Sequence, residues 1–377
     1  MTNIYLDYSA TTPLDERVLQ AMMPYLQMEY GNPSSVHQRG QKAEAAVEEA
    51  RETVAVVLGC LPEEITFTSC GTESDNLALR GGALAARKER GADSILTSKG
   101  EHPAVSRTAE QLAEVHGFKL TWLGMDEFGM VTPEVVESEL GEDTAIVSVM
   151  YANNEIGTIN PMAEIGRLCR KLQVPLHTDA VQAAAYLDVS VDTLGVDMLS
   201  LGAHKFYGPK GVGVLYVRRG TALSPQQTGG GQEGGRRAGT HNVPYIVGLA
   251  EALRLTAEER DVRREHVLPL RNQIIGRVLE EIPDARLTGH PTERLPGHAS
   301  FVFKDADGNR LLQLLDAEGF ACSSGSACKT GSPKPSEVLL STGLSKEWAL
   351  GSLRVTLGMQ TTVEEVGNFL KALPGAV

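Results

Sequence analysis

Up to about residue 220 the apolar positions of this chain alternate between two patterns. Residues 35–58 are rich in Ala and Glu and repeat with helical periodicity, and a further helix is expected to begin near Glu73. Short apolar, partly β-branched runs stand between such stretches: ITFTS (65–69), SILTS (94–98), KLTWLG (119–124), AIVSVMYA (145–152), PLHTDA (175–180), MLSLGA (198–203) and GVGVLYV (211–217). Runs of this length predict strands, and PMAEIGRLCRKLQ (161–173) between two of them predicts a helix. Alternating strands and helices predict an α/β unit with a mainly parallel sheet covered on both faces. Ligands of such sheets bind at the carboxyl ends of the strands. A Gly-rich stretch, TGGGQEGGRRAGTHNV (228–243), interrupts the pattern, and a long charged helical segment is expected over about 244–282. The rest reads as a smaller α+β unit, with strands at 285–289, 299–304 and 352–358 and helices at 309–319 and 362–373. Residues 322–338 hold too much Gly, Ser and Pro for either state and are expected to form an exposed loop.

Composition narrows the class. The 377 residues are 42% hydrophobic and 22% charged, an ordinary globular balance. That length suggests two domains or one large one, with core enough to need no staples. A net charge of −13 argues against nucleic acid as the main partner and leaves room for a local basic pocket that takes a small anion. The start, MTNIYLDYSATTP, has neither a basic nor an apolar leader segment, and no apolar run approaches the ~18 residues of a membrane span. Cys60, Cys70, Cys169, Cys322 and Cys328 are scattered, with no Cys-x-x-Cys spacing. They read as reduced thiols of a cytoplasmic protein without a structural zinc site.

Four places carry candidate chemistry. Lys205 directly follows an apolar strand and precedes a Gly-Pro turn. Most lysines are solvated surface groups, but one held at a strand end can form a Schiff base with an aldehyde cofactor. Asp179 ends the strand 26 residues earlier, where a carboxylate is costly to bury without a partner. The pyridinium N–H of pyridoxal phosphate supplies one, and an ionised Asp179 keeps that ring able to accept electrons. A helix N-cap is the plainer role for Asp179 or Thr178. Gln182, three positions on, can be aimed at the ring hydroxyl by a helical turn. Third, the strand 65–69 runs through Gly71 and Thr72 into a helix, which offers free backbone N–H groups and a hydroxyl to an anion. No Walker A or GxGxxG pattern occupies that turn. Fourth, His102 follows strand 94–98, where an imidazole can stack on a flat cofactor and move protons.

In combination these features resemble a cysteine desulfurase of the NifS/IscS-like group I, within the class V aminotransferases. The resemblance runs end to end: YLDYSATTP (5–13), GNPSSVH (31–37), TSCGTESDN (68–76), EHPAV (101–105), NNEIGTINP (153–161), HTDAVQA (177–183), HKFYGPKGVG (204–213), GGGQEGGRRAGT (229–240), SSGSACKTG (323–331) and SLRVTLG (352–358). It implies the pyridoxal-phosphate-dependent transferase fold type I. The expected division is a large cofactor domain over 15–259 and a small domain over 1–14 and 260–377 that carries the cysteine loop. It also implies roles. Lys205 matches the Schiff-base lysine, His102 the residue stacked on the ring, Asp179 the pyridinium partner and Gln182 the donor to the ring hydroxyl. Thr72 and His204, beside Gly71, match phosphate contacts. Asn154 matches a residue near the ring hydroxyl and substrate, and Arg354 the arginine that pairs with the substrate carboxylate, which a guanidinium fork suits. Thr240 matches a phosphate contact given by a second subunit, which implies a homodimer. Cys328 matches the thiol that receives sulfur from L-cysteine as a persulfide, leaving L-alanine. No resident metal is implied; during transfer Cys328 is a candidate transient iron–sulfur ligand. The implied acceptor is a protein such as an iron–sulfur scaffold.

Two positions depart from the pattern. Gly202 stands where relatives commonly carry a Ser that bonds the phosphate, and Lys329 follows Cys328 where Thr or Ser is commoner. A cation beside a thiol favours the thiolate. The competing readings are a selenocysteine lyase, another class V aminotransferase, and a sulfur carrier that has lost catalysis. Cys328 argues against the aminotransferase, and intact Lys205, Asp179, His102 and Arg354 argue against the carrier.

Overall fold

The computed structural model describes residues 4–325 and 334–377. Twelve strands are found among them: β1 (Ile4–Tyr5), β2 (Ile65–Thr68), β3 (Ser94–Ser98), β4 (Lys119–Leu123), β5 (Thr144–Ser148), β6 (Leu176–Asp179), β7 (Met198–Gly202), β8 (Gly213–Val217), β9 (Ala285–Leu287), β10 (His298–Phe303), β11 (Phe320–Ala321) and β12 (Ser352–Thr356). Seven form one sheet in the order β2-β8-β7-β6-β5-β3-β4. Its pairings are parallel except those of β8, which runs against both β2 and β7. Strands β2, β3, β5, β6, β7 and β8 are buried along their whole length. That burial follows from covering both faces, and it explains why these strands read as continuous apolar runs rather than alternating ones. Edge strand β4 is half-exposed.

A helix over Gly71–Arg90 packs on the sheet, and Ala78, Gly82 and Ala86 let it approach closely. The chain passes from β3 to its neighbour β4 on one side and from β5 to its neighbour β6 on the other. Crossovers therefore diverge beyond the carboxyl ends of β3 and β5, where α/β folds open a crevice. The three-stranded sheet β12-β10-β9 is antiparallel, and β1 pairs in parallel with β11. Residues just after β1 reach back across the large sheet: Thr12 N donates to His204 O (2.9 Å) and Tyr207 N to Thr12 Oγ1 (2.7 Å).

Three expectations need correction. The segment expected as one helix over 244–282 is two, Val243–Glu258 and Arg260–Glu281, broken at Glu259. Glu259 leaves helical geometry there, and its carboxylate pairs with Arg17 (2.5 Å) and Arg263 (2.9 Å). The helix expected over 35–58 starts at Gln38, because His37 caps it by accepting from Gly40 N (3.2 Å), and an unexpected helix over Glu16–Gln27 precedes it. The loop 322–338 is only partly exposed where it is described: Lys334 and Glu337 are exposed, Ser324 and Ser336 are buried, and a helix over Glu337–Ser341 begins inside it. No helix among the described residues is long and apolar enough to cross a membrane.

Candidate active site

Gly71, Thr72, His102, Asn154, Asp179, Gln182, His204, Lys205 and Arg354 line one cavity of about 320 Å³. They reach it from the carboxyl ends of β2, β3, β5, β6 and β7, with Arg354 supplied by β12. Lys205 lies in a single 3₁₀ turn, Ala203–Lys205, directly after β7. Its Nζ donates to Ser9 O (2.5 Å) and Ala10 O (2.8 Å). Burial, reinforced by the Arg354 charge, lowers its pKa to about 8.

Asp179 closes β6, and its Oδ1 accepts from Val181 N (2.9 Å), a local side-chain turn rather than a helix N-cap, because turns and no helix follow over 181–186. Burial raises its pKa, while His102 and Lys205 pull it back down. Two more buried carboxyl groups stand behind it. Asp75, one helical turn beyond Thr72, lies 3.6 Å from His177 Nε2, and its Oδ1 has no hydrogen-bond partner. Glu101 accepts from Met150 N (2.9 Å) and Ser98 Oγ (3.2 Å) through Oε1, and its Oε2 has none. Burial and the field of Asp179 hold Asp75 well above the usual carboxylate range, and Glu101 is raised to about 8 mainly by burial. His177 cannot balance them: it bridges Ser148 Oγ (2.8 Å) and Ser200 Oγ (3.0 Å), and burial lowers it to about 3. The region thus holds three acids and too few donors, which suits a cation docked against Asp179.

His102 caps the helix Pro103–His116 by accepting Ala104 N at Nδ1 (3.1 Å), which puts the neutral ring's proton on Nε2. Burial, with Lys205 adding to it, lowers its pKa. At the other end of the cavity the helix Gly71–Arg90 begins with no side-chain cap, so its first N–H groups are left to a ligand. A Cβ at Gly71 would lie 2.8 Å from Val181 Cγ2, and one at Gly213 2.6 Å from the Cys70 carbonyl carbon, so glycine is what lets this corner close. His204 Nδ1 is 3.2 Å from Thr11 Oγ1, and burial, with Lys205 and Lys210, lowers it to about 4. Gln182 Nε2 donates to Ser9 O (2.8 Å). Pyridoxal phosphate fits this donor set: an amine for its aldehyde, unsatisfied carboxyl oxygens behind its ring nitrogen, and uncapped amides for its phosphate.

Arg354 is 8% exposed, so it is not a surface strand arginine. Nη1 donates to Asn154 O (2.9 Å) and Nη2 to Asp7 Oδ1 (2.8 Å), while Ser323 Oγ donates to Asp7 Oδ2 (2.8 Å). Thr240 is exposed and does not line the cavity of its own chain. Cys328 lies outside the described residues. Burial pushes the Cys322 thiol well up, leaving it a poor nucleophile. Sequence reasoning missed Asp75, Glu101 and Asp7, although each lies within a motif it quoted. Asp75 had a signal, since a helix that presents Thr72 also presents the residue one turn on.

Residues 4–369 match the Aminotransferase class-V family. A cysteine desulfurase IscS of Dictyoglomus turgidum is 45% identical over 370 residues, 98% of this chain and 93% of the relative. Among solved structures a NifS-like protein superposes with a TM-score of 0.92 at 38% identity, covering 99% of both chains. A structure described as SspA in complex with cysteine superposes at 0.81, with 34% identity over 95% of this chain and all of the other. Motif order, strand-end lysine and acid, and whole-length likeness converge: this chain belongs to the class V aminotransferase family, among its cysteine desulfurases, and its cofactor is pyridoxal phosphate.

Proposed function

We propose that this protein takes sulfur from L-cysteine, releases L-alanine and holds the sulfur as a persulfide on Cys328. The observation that carries this reading is the meeting of Lys205, Asp179 and Arg354 in one cavity of about 320 Å³. When bound, pyridoxal phosphate supplies an aldehyde carbon for the substrate amine and an electron-poor ring. Arg354, fixed between Asn154 O and Asp7, offers its remaining donors to the substrate carboxylate. Lys205, with its pKa lowered to about 8, is a base for the substrate α-proton close to neutral pH. Asp179 holds the proton on the ring nitrogen, with Asp75 and Glu101 staying neutral behind it. His102 passes a proton at Nε2. The Cys328 thiolate attacks the substrate sulfur; the S–S bond forms as the carbon–sulfur bond breaks, and the carbon skeleton takes up protons to become alanine.

We read residues 15–259 as the large domain and 1–14 with 260–377 as the small one. The seven-stranded sheet falling wholly within 15–259, and β1 pairing with β11, support that division. We also read the working unit as a homodimer in which Thr240 meets the partner's phosphate, since Thr240 is exposed and does not line its own cavity. The acceptor is read as a protein, such as an iron–sulfur scaffold.

The test is incubation of the holoenzyme with L-cysteine and a reductant. Sulfide and alanine should appear in equal amounts, and Cys328→Ser should release neither while Cys322→Ser keeps most of the activity. Amino-group transfer to a 2-oxo acid without sulfide would overturn the reading.

A further inference from the structure

The segment 228–243 contains six glycines, and a chain of that composition does not hold a shape by itself. It is held at several points, among them the Arg237–Glu73 pair (2.7 Å) and Gly239 N donating to Gln232 Oε1 (3.1 Å), and its most deeply buried anchor is Glu233, whose side chain is fully buried. Oε2 accepts from Arg51 Nη1 (2.8 Å) and Phe67 N (2.8 Å). Oε1 accepts from Arg51 Nη2 (3.0 Å) and His241 Nε2 (2.6 Å). Arg51 belongs to the helix Gln38–Leu58 and Phe67 to β2, so three of the four bonds come from rigid elements. The fourth reaches forward to His241, the residue after Thr240. To bring its side chain inward, Glu233 takes a left-handed backbone (φ 50°), which a residue with a side chain keeps only where its surroundings impose it. Thr240 makes no hydrogen bond among the described residues and stays exposed.

We propose that Glu233 is a positioning residue for the neighbouring subunit's cofactor site: its buried carboxylate grips His241 and so sets where Thr240 stands. The inference rests on the reading that Thr240 serves the partner's phosphate. Under it, losing Glu233 from one chain damages the cofactor site of the other chain and leaves its own intact.

The first measurement is the affinity of the apoprotein for pyridoxal phosphate, by absorbance titration. Glu233→Gln puts an N–H₂ donor against donors, and should weaken binding by about tenfold or more. His241→Ala removes one bond and should weaken it by about threefold to tenfold. The second is subunit mixing at a cofactor concentration between the two dissociation constants, reading sulfide release. Lys205→Ala chains mixed with Glu233→Gln chains form hybrids in which one site has both its own Lys205 and a well-placed Thr240 from the other chain. With random exchange, about a quarter of wild-type activity should return.

A parallel mixture of Lys205→Ala with Thr240→Ala tests the shared-site reading. Recovery in both mixtures supports the inference. Recovery with Thr240→Ala but not with Glu233→Gln overturns the inference alone. No recovery with Thr240→Ala, with exchange confirmed, overturns the shared-site reading and the inference with it. If Glu233→Gln does not fold, as judged by circular dichroism, His241→Ala replaces it in the mixture and the same outcomes decide.

Discussion

Glu233 and Asp179 are both buried carboxylates that face a basic side chain, yet their surroundings drive them in opposite directions. Around Glu233 four donors converge on two oxygens, and against the cost of burial its bonds to His241 and Arg51 bring the pKa down to about 2. Around Asp179 donors are scarce: it has one backbone amide, and Asp75 and Glu101 behind it each leave an oxygen unpaired. Burial there wins, and all three acids are raised. A carboxylate matched within its own chain anchors structure. A cluster left short of positive charge is completed by a ligand, and such clusters gather at functional sites.

The comparison breaks hardest at its functional end. Lys205→Ala should cost about 10⁴-fold or more in sulfide release, the scale of losing a group that acts chemically. The fold should survive, because Lys205 bonds only to two carbonyl oxygens. Borohydride reduction followed by mass spectrometry should find no cofactor fixed to the chain; cofactor trapped on another lysine would refute the assignment.

At the structural end, Arg51→Met removes two of the four donors to the buried Glu233, leaving Phe67 N and His241, and should destabilise the protein by about 3 kcal/mol in urea unfolding. The depressed pKa of Glu233 gives the sign of the pH effect. Its stabilisation is complete above the unfolded value of about 4.5 and is lost as pH falls towards about 2. Arg51→Met should therefore lose more stability at pH 6 than at pH 3. Equal losses would mean that Glu233 is not ionised in the folded state.

Glu101 sharpens the contrast, because its sign is reversed. Folded, it titrates at about 8, so the folded apoprotein binds the extra proton and stability declines as pH rises from about 4.5 to about 8. Glu101→Gln should reduce that decline, measured as the difference in urea midpoint between pH 5 and pH 8. An unchanged difference would show that Glu101 is ionised in the fold.

The smallest effect is expected at Gly202. A Cβ there would meet Gly71 N at 3.4 Å and Val181 Cγ1 at 3.6 Å, which is ordinary contact. Gly202→Ser should change stability by no more than about 0.5 kcal/mol. It sets a hydroxyl beside the uncapped helix start, so titration should find cofactor affinity kept or raised. A marked loss of affinity would mean that the phosphate does not sit at Gly71.

Sequence alone shows the strands of the large sheet, its mainly parallel class and the strand-end placement of Lys205, Asp179 and His102, but not the helix Glu16–Gln27 or the pairing of β1 with β11. Apolar periodicity, capping and Gly turns act between near neighbours, so they can be read along the chain. Even the unforeseen Asp75 lies within the helix expected to begin near Glu73. Packing alone sets the break at Glu259, which needs Arg17 and Arg263 around its carboxylate. It alone paired Arg354 with Asp7 across 347 positions and Arg51 with Glu233 across 182. It also decided that Asp179 stands among acids while Glu233 stands among donors. Whether a buried carboxyl group is charged depends on the dielectric and the partners around it, and neither exists until distant segments are packed together.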